Sequence, residues 1–148
     1  MATPTLRQRL APYAPLAIRL GLGLIFLWSG TLKLVGSENA LGICTNRVEA
    51  VNLVESITWL PFDPDKFVLV QSYLELLLGL VLVVGFRLRT AAGLSTLVLL
   101  AFFAVIDFDL VWKNMGLLGA ALALVVLEPD PWVLDRWLAR YRQERQPA

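Results

Sequence analysis

Four long apolar blocks divide the chain, and the charged residues between them fall into short clusters. A bilayer core is crossed by about 20 apolar residues in helical form. By that measure the spans run from Leu16 to Val35, Phe67 to Phe86, Thr90 to Phe108 and Leu110 to Leu127. The second and third are separated only by Arg87-Leu88-Arg89, and the last two by a tight turn within FDLVWKN, so consecutive helices must run antiparallel. The pattern predicts an all-α fold over residues 1–148: a single-domain, integral membrane, antiparallel four-helix bundle. Gly116 with Ala120, and Gly119 with Ala123, have the small-xxx-small spacing that predicts close packing along the fourth helix.

Two stretches outside the spans carry helical patterns of their own. In the loop from Gly36 to Lys66, Asn46 and Glu49 have capping-box spacing, and Val48, Val51, Val54 and Ile57 recur at helical intervals. The segment is too short and too polar to span. It is expected as an amphipathic outer-loop helix on the membrane surface, with Trp59 at head-group level. Asp63 and Pro64 suit the N-cap and first turn of the second span. At the other end, Asp130-Pro131 is expected to start a C-terminal interfacial helix, apolar through Val133, Leu134, Trp137, Leu138 and Tyr141 and basic on its other side. A partner-docking helix is the alternative reading of that segment.

Charge sets the orientation. Arg7, Arg9, Arg87, Arg89, Arg136, Arg140, Arg142 and Arg145 flank the spans on one side, against Arg47, Lys66 and Lys113 on the other. The positive-inside rule then puts both termini of a multi-pass protein in the cytoplasm. Arg7 and Arg9 ahead of an apolar stretch imitate a signal peptide, but Arg19 interrupts that stretch and no small-x-small cleavage pattern follows, so it reads as an uncleaved first helix. Hydrophobic residues make up 57% of the chain and charged residues 17%, against about a quarter charged in soluble domains. Mean hydropathy is +0.67. A net charge of +1 with no basic run gives no reason to expect a nucleic-acid partner; membrane lipids and other protein subunits are the expected ones.

Histidine is absent and Cys44 is the single cysteine. Bis-His haem, His-ligated copper, a four-cysteine cluster and an internal disulfide are excluded on this chain's residues alone. No metal site and no covalently bound cofactor is expected. Any redox role must use a diffusible cofactor such as quinone, or a partner's centre. Cys44 itself reads as a spectator in the outer loop, or as a thiol that bonds a partner's.

The candidate chemistry lies inside the apolar blocks. Glu75 sits within YLELLLGLVLVVG, where a charge costs several kcal/mol unless compensated. It is about eight residues, or roughly 12 Å, into the expected second span. Lys33 near the outer end of the first helix, and Lys113 and Asn114 opening the fourth, can meet it in the outer half of the bundle, since lysine stems reach several ångströms. Ser29 and Tyr73 are candidates to line the same region. The cluster reads either as an ion pair that orients the bundle, or as a polar floor for a small amphipathic ligand or a proton acceptor; exposure of Glu75 to lipid is the remaining reading. Arg19, Arg87 and Arg89 belong to the inner face; Arg19 either snorkels to lipid phosphates or caps a neighbouring helix end.

Three stretches carry a family resemblance: RLGLGLIFLWSGTLKLVG, YLELLLGLVLVVGFRLRTAAG and KNMGLLGAALAL. Their Arg19, Gly30, Lys33, Glu75, Gly79, Gly85, Arg89 and Lys113 resemble the DoxX pattern of small four-helix bacterial membrane proteins. The resemblance implies a place in the bacterial inner membrane. It further implies a small subunit of a larger redox-linked complex, at most a subunit of a quinone-linked oxidoreductase, with quinone or lipid at the outer-half polar cluster. The alternative is a non-catalytic assembly, maturation or anchoring protein for a membrane complex. A small transporter fits less well, since four spans leave little room for a substrate path. Quinone binding predicts a cleft beside Glu75 that opens to lipid; the anchoring reading predicts a closed bundle.

Overall fold

The structure, a computed structural model, describes residues 5–6, 10–35, 46–105 and 114–144. All regular elements among these residues are helical. A 3-10 turn, Ala11–Tyr13, leads into α1 (Ala14–Val35); α2 (Arg47–Glu55), α3 (Pro64–Val84), α4 (Leu88–Val105), α5 (Asn114–Val126) and α6 (Leu134–Glu144) follow. The helix α1 packs along α3 and α4 along α5, and contacts of α1 with α5 and of α3 with α4 close the group. Leu22, Phe26, Leu82, Leu88, Leu99 and Leu124 form the shared core.

The outer faces of these helices are apolar as well. Leu24 on α1, Val70, Leu77 and Leu80 on α3, Leu94, Leu97 and Leu100 on α4 and Leu122 on α5 are all exposed. Water would not tolerate that much contiguous apolar surface, whereas hydrocarbon does. The stretch Ala11–Val35 and the helix Pro64–Val84 are long and apolar enough to cross a membrane, with mean hydropathies of 1.5 and 2.3. The apolar helices Leu88–Phe103 and Asn114–Val126 are shorter. The expected turn within FDLVWKN, and the start of the span expected from Leu110, fall largely outside the described residues, as does Cys44.

Local signals explain where helices start and stop. Asn46 caps α2 with a complete capping box, its side chain accepting from Glu49 N at 2.9 Å. Asp63 caps α3 by accepting from Lys66 N at 3.0 Å, with Pro64 at the first position. The helix α3 ends in a Schellman motif: Gly85 takes φ 75°, its N–H reaches Leu82 O, and Phe86 N–H reaches Val81 O.

Three expectations need correction. On α2, Val54 and Val51 of the expected face do pack toward Val68 of α3, but Ala50 is buried beside them and Val48 is exposed. Among the described residues, close packing does not run through Gly116 and Gly119, which are exposed with nothing within 4 Å of a would-be Cβ. It runs instead between α1 and α3, where Gly23, Gly30 and Gly79 let the two backbones touch. Finally, Asp130-Pro131 does not open a helix. Asp130 is buried and accepts from Trp132 N at 3.0 Å in a turn, and α6 begins only at Leu134.

Candidate functional site

The tight α1–α3 crossing brings the polar residues of the two helices together. Side chains on a helix tilt toward its N-terminus. Lys33, near the end of α1, therefore points back toward mid-helix, and Glu75 on antiparallel α3 leans the opposite way to meet it. Lys33 Nζ donates to Glu75 Oε1 at 2.5 Å. The lysine is 5% exposed and the glutamate 3%. Of the two lysines considered from sequence, Lys33 is thus the partner; Lys113 lies outside the described residues. Glu75 is the twelfth residue of the 21 in α3, because the helix starts at Pro64, so the pair sits nearer mid-helix than expected.

Gln71, one turn before Glu75, was missed in the sequence. Its Nε2 donates to the same Oε1 at 3.0 Å. An i,i+4 glutamine in front of a buried carboxylate is the signal that would have found it. Both donors converge on one oxygen, and the other is left over: Glu75 Oε2 is buried without a hydrogen-bond partner among the described residues. An ammonium also carries three donors, and Lys33 has one acceptor among the described residues. The centre therefore holds a spare acceptor beside spare donors, a pairing suited to a group that both accepts and donates.

Other expected members stand apart from the pair. Ser29 is half-buried one turn before Lys33 on α1. Asn114, half-buried, opens α5, and no hydrogen bond among the described residues joins it to Lys33 or Glu75. Tyr73 is turned away, 59% exposed, because two residues along a helix rotate a side chain to roughly the opposite face from Glu75. It does not line the centre.

At the other end of the molecule Arg19 does not snorkel. It is 2% exposed and forms a fork with Asp130, Nε to Oδ2 at 3.0 Å and Nη2 to Oδ1 at 3.4 Å. Its Nη1 donates to Leu82 O and Val83 O at the end of α3, where Leu82 O also accepts from Gly85 N. The helix-capping alternative describes it, and a cation suits the negative end of the α3 dipole. Arg87 and Arg89 are exposed at the same end, beside α6. Here Asp135 of α6 accepts from Arg87 N at 2.9 Å and Leu88 N at 3.3 Å, placing a carboxylate at the start of α4.

Apolar helices with leucine-covered outer faces around a buried charge pair define a small helical membrane protein. The chain belongs to the DoxX family, whose pattern matches residues 14–107. That stretch holds Arg19, Lys33, Gln71 and Glu75, and leaves Lys113, Asn114, Asp130 and α6 beyond it. No curated protein and no solved structure matches the chain.

Proposed function

We propose that this DoxX protein is a small integral membrane subunit of a larger redox-linked assembly, spanning the bacterial inner membrane four times with both termini in the cytoplasm. In this reading the Lys33–Glu75–Gln71 centre receives the polar head of a quinone or lipid. The observation that carries it is the buried Glu75 Oε2, which has no hydrogen-bond partner among the described residues. Leaving such a group unsatisfied typically costs about 1–3 kcal/mol, so a purely structural centre has no reason to retain it. A quinol hydroxyl donates to that oxygen, and a quinone carbonyl accepts from Lys33 Nζ. This chain supplies no histidine or paired cysteine for a metal centre, so electron transfer would rest on the diffusible ligand and on partner subunits.

One observation favours a second reading, a non-catalytic assembly, maturation or anchoring protein. Lys33 and Glu75 are enclosed, where quinone binding predicted a cleft open to lipid. A single experiment separates the two. Protein purified in mild detergent is extracted for quinones and its co-purifying proteins identified by mass spectrometry, for the natural chain and for Glu75→Gln and Lys33→Met. The first reading expects quinone near one per chain in the natural protein. It also expects that quinone to be lost in both variants, with redox subunits still attached. Partner proteins without quinone in any sample would favour anchoring and overturn the ligand site.

A further inference from the structure

A groove of about 310 Å³ lies where the end of α3 meets α6, lined by Val84, the Pro131–Leu134 turn, Trp137 and Arg140. Its walls are apolar or aromatic except for Arg140. Trp132 and Trp137 are 54% and 56% exposed, yet each is held in place by a stacked phenol ring. Tyr13 stacks on Trp132 with centroids 5.2 Å apart, and Tyr141 on Trp137 at 5.6 Å. The walls are therefore set before anything binds. Below the groove, Leu77, Leu80 and Val84 form one exposed stripe along α3, at the three- and four-residue spacing of a helix face.

The charge around the opening is mostly positive. Arg140 has no carboxylate partner among the described residues, its Nε donating only to Arg136 O at 3.4 Å. Arg87, Arg89, Arg136 and Arg142 are exposed nearby in sequence or across the α4–α6 contact. The acidic groups at this end are committed: Asp130 to Arg19, and Asp135 to the amides of Arg87 and Leu88. Exposed Glu128 and Glu144 are the remaining counter-charges among the described residues of this end.

We propose that this groove seats the head group of an anionic phospholipid. The volume admits a phosphate and its glycerol but not acyl chains, and the chains continue down the Leu77–Leu80–Val84 stripe. Arg140 binds the phosphate with its planar fork, and the two indoles occupy the interfacial level where such rings settle. A protein partner would not need an apolar track running from the groove along a membrane-length helix.

The test is native mass spectrometry of the full chain in mild detergent, titrated with phosphatidylglycerol and with phosphatidylcholine of the same acyl chains. One arginine at an anionic lipid surface contributes a preference of roughly five-fold, so phosphatidylglycerol should occupy the protein at least about that much better. Arg140→Gln should abolish the preference, Arg140→Lys should keep most of it, and Trp137→Ala should weaken both lipids. Arg47→Gln, at a partly exposed arginine beside the start of α3 and so at the opposite end from the groove, should leave it unchanged. Circular dichroism checks that each variant is folded, as expected for exposed positions. Equal occupancy by the two lipids, or a preference that survives Arg140→Gln, would overturn the proposal.

Discussion

Replacing Gly79 with alanine adds one methyl group at the point where α1 and α3 touch. A Cβ there would lie 2.8 Å from Gly23 O, 2.8 Å from Leu27 N and 2.8 Å from Leu27 Cγ. Each distance is about 0.6 Å short of ordinary contact, which begins at 3.4 Å. Two of the three obstructing atoms are backbone, so no side chain can rotate to make room; the helices must move apart along the crossing. Overpacking of this kind costs about 1–3 kcal/mol, and the rigid neighbours put Gly79 at the upper end. Against it stands the better helix propensity of alanine, about 1 kcal/mol. The net expectation is destabilisation by about 2 kcal/mol. Gly21→Ala and Gly116→Ala make the same chemical change where nothing lies within 4 Å, so they should be neutral or stabilising by up to about 1 kcal/mol. Unfolding in mixed micelles of increasing denaturing detergent, followed by circular dichroism, measures all three. If Gly79→Ala falls with the two controls, the close α1–α3 contact is not what holds these helices together.

Arg19→Ala strands the Asp130 carboxylate in a buried site and removes the donor to Val83 O, so a loss of about 3–5 kcal/mol is expected in the same assay; a loss under about 1 kcal/mol would contradict the fork. Asp135→Ala removes the carboxylate from the start of α4 and should cost about 1–2 kcal/mol, with Asp135→Asn nearer neutral. Such a loss should appear as faster hydrogen exchange at Leu88 and its neighbours. Asn46→Ala should cost about 1 kcal/mol through its lost cap and raise exchange in α2 alone. Arg47→Ala removes an ion pair to Asp65 of 3.0 Å between exposed side chains, and should change stability by no more than about 0.5 kcal/mol.

Two helix starts and the buried pair were legible in the sequence, for different reasons. Asp63-Pro64 and Asn46 with Glu49 act through backbone groups three positions away, so spacing alone suffices, whereas the stop at Gly85 was not anticipated and the span was expected to reach Phe86. Glu75 and Lys33 were legible because a charge in an apolar block demands a partner, and few cations lie at a suitable depth. Asp130 was not. It is 111 positions from Arg19, and its neighbour Pro131 gives it the look of a helix start. The glycines were misassigned for a related reason. Small-xxx-small spacing on α5 matches the packing motif, but spacing does not say which face a neighbour covers. On α1 and α3 the contact uses Gly23 and Gly30, seven residues apart, facing Ser72 O, Leu76 and Gly79. No such pair is conspicuous in either helix alone.

The two buried charge pairs are built on opposite terms. Arg19 spends its fork on Asp130 and its remaining nitrogen on the α3 carbonyls, while Asp130 takes a further bond from Trp132 N. That arrangement has the geometry a buried ion pair needs to offset its desolvation, and its purpose is legible: it ties α1, the end of α3 and the turn before α6 into one corner. The Lys33–Glu75 pair lies in an equally enclosed place and leaves Oε2 without a partner among the described residues. Swapping it for apolar residues would remove the desolvation cost along with the unsatisfied atom. A double substitution, Lys33→Met with Glu75→Leu, should therefore match or exceed the natural chain in stability. The same double change at Arg19 and Asp130 should not, because Val83 O would lose its donor and Leu82 O one of its two. If the first double variant is instead several kcal/mol less stable, the Glu75 centre is structural and the ligand reading of it fails. Retained stability together with loss of quinone and of cellular function is the outcome that the spare oxygen predicts.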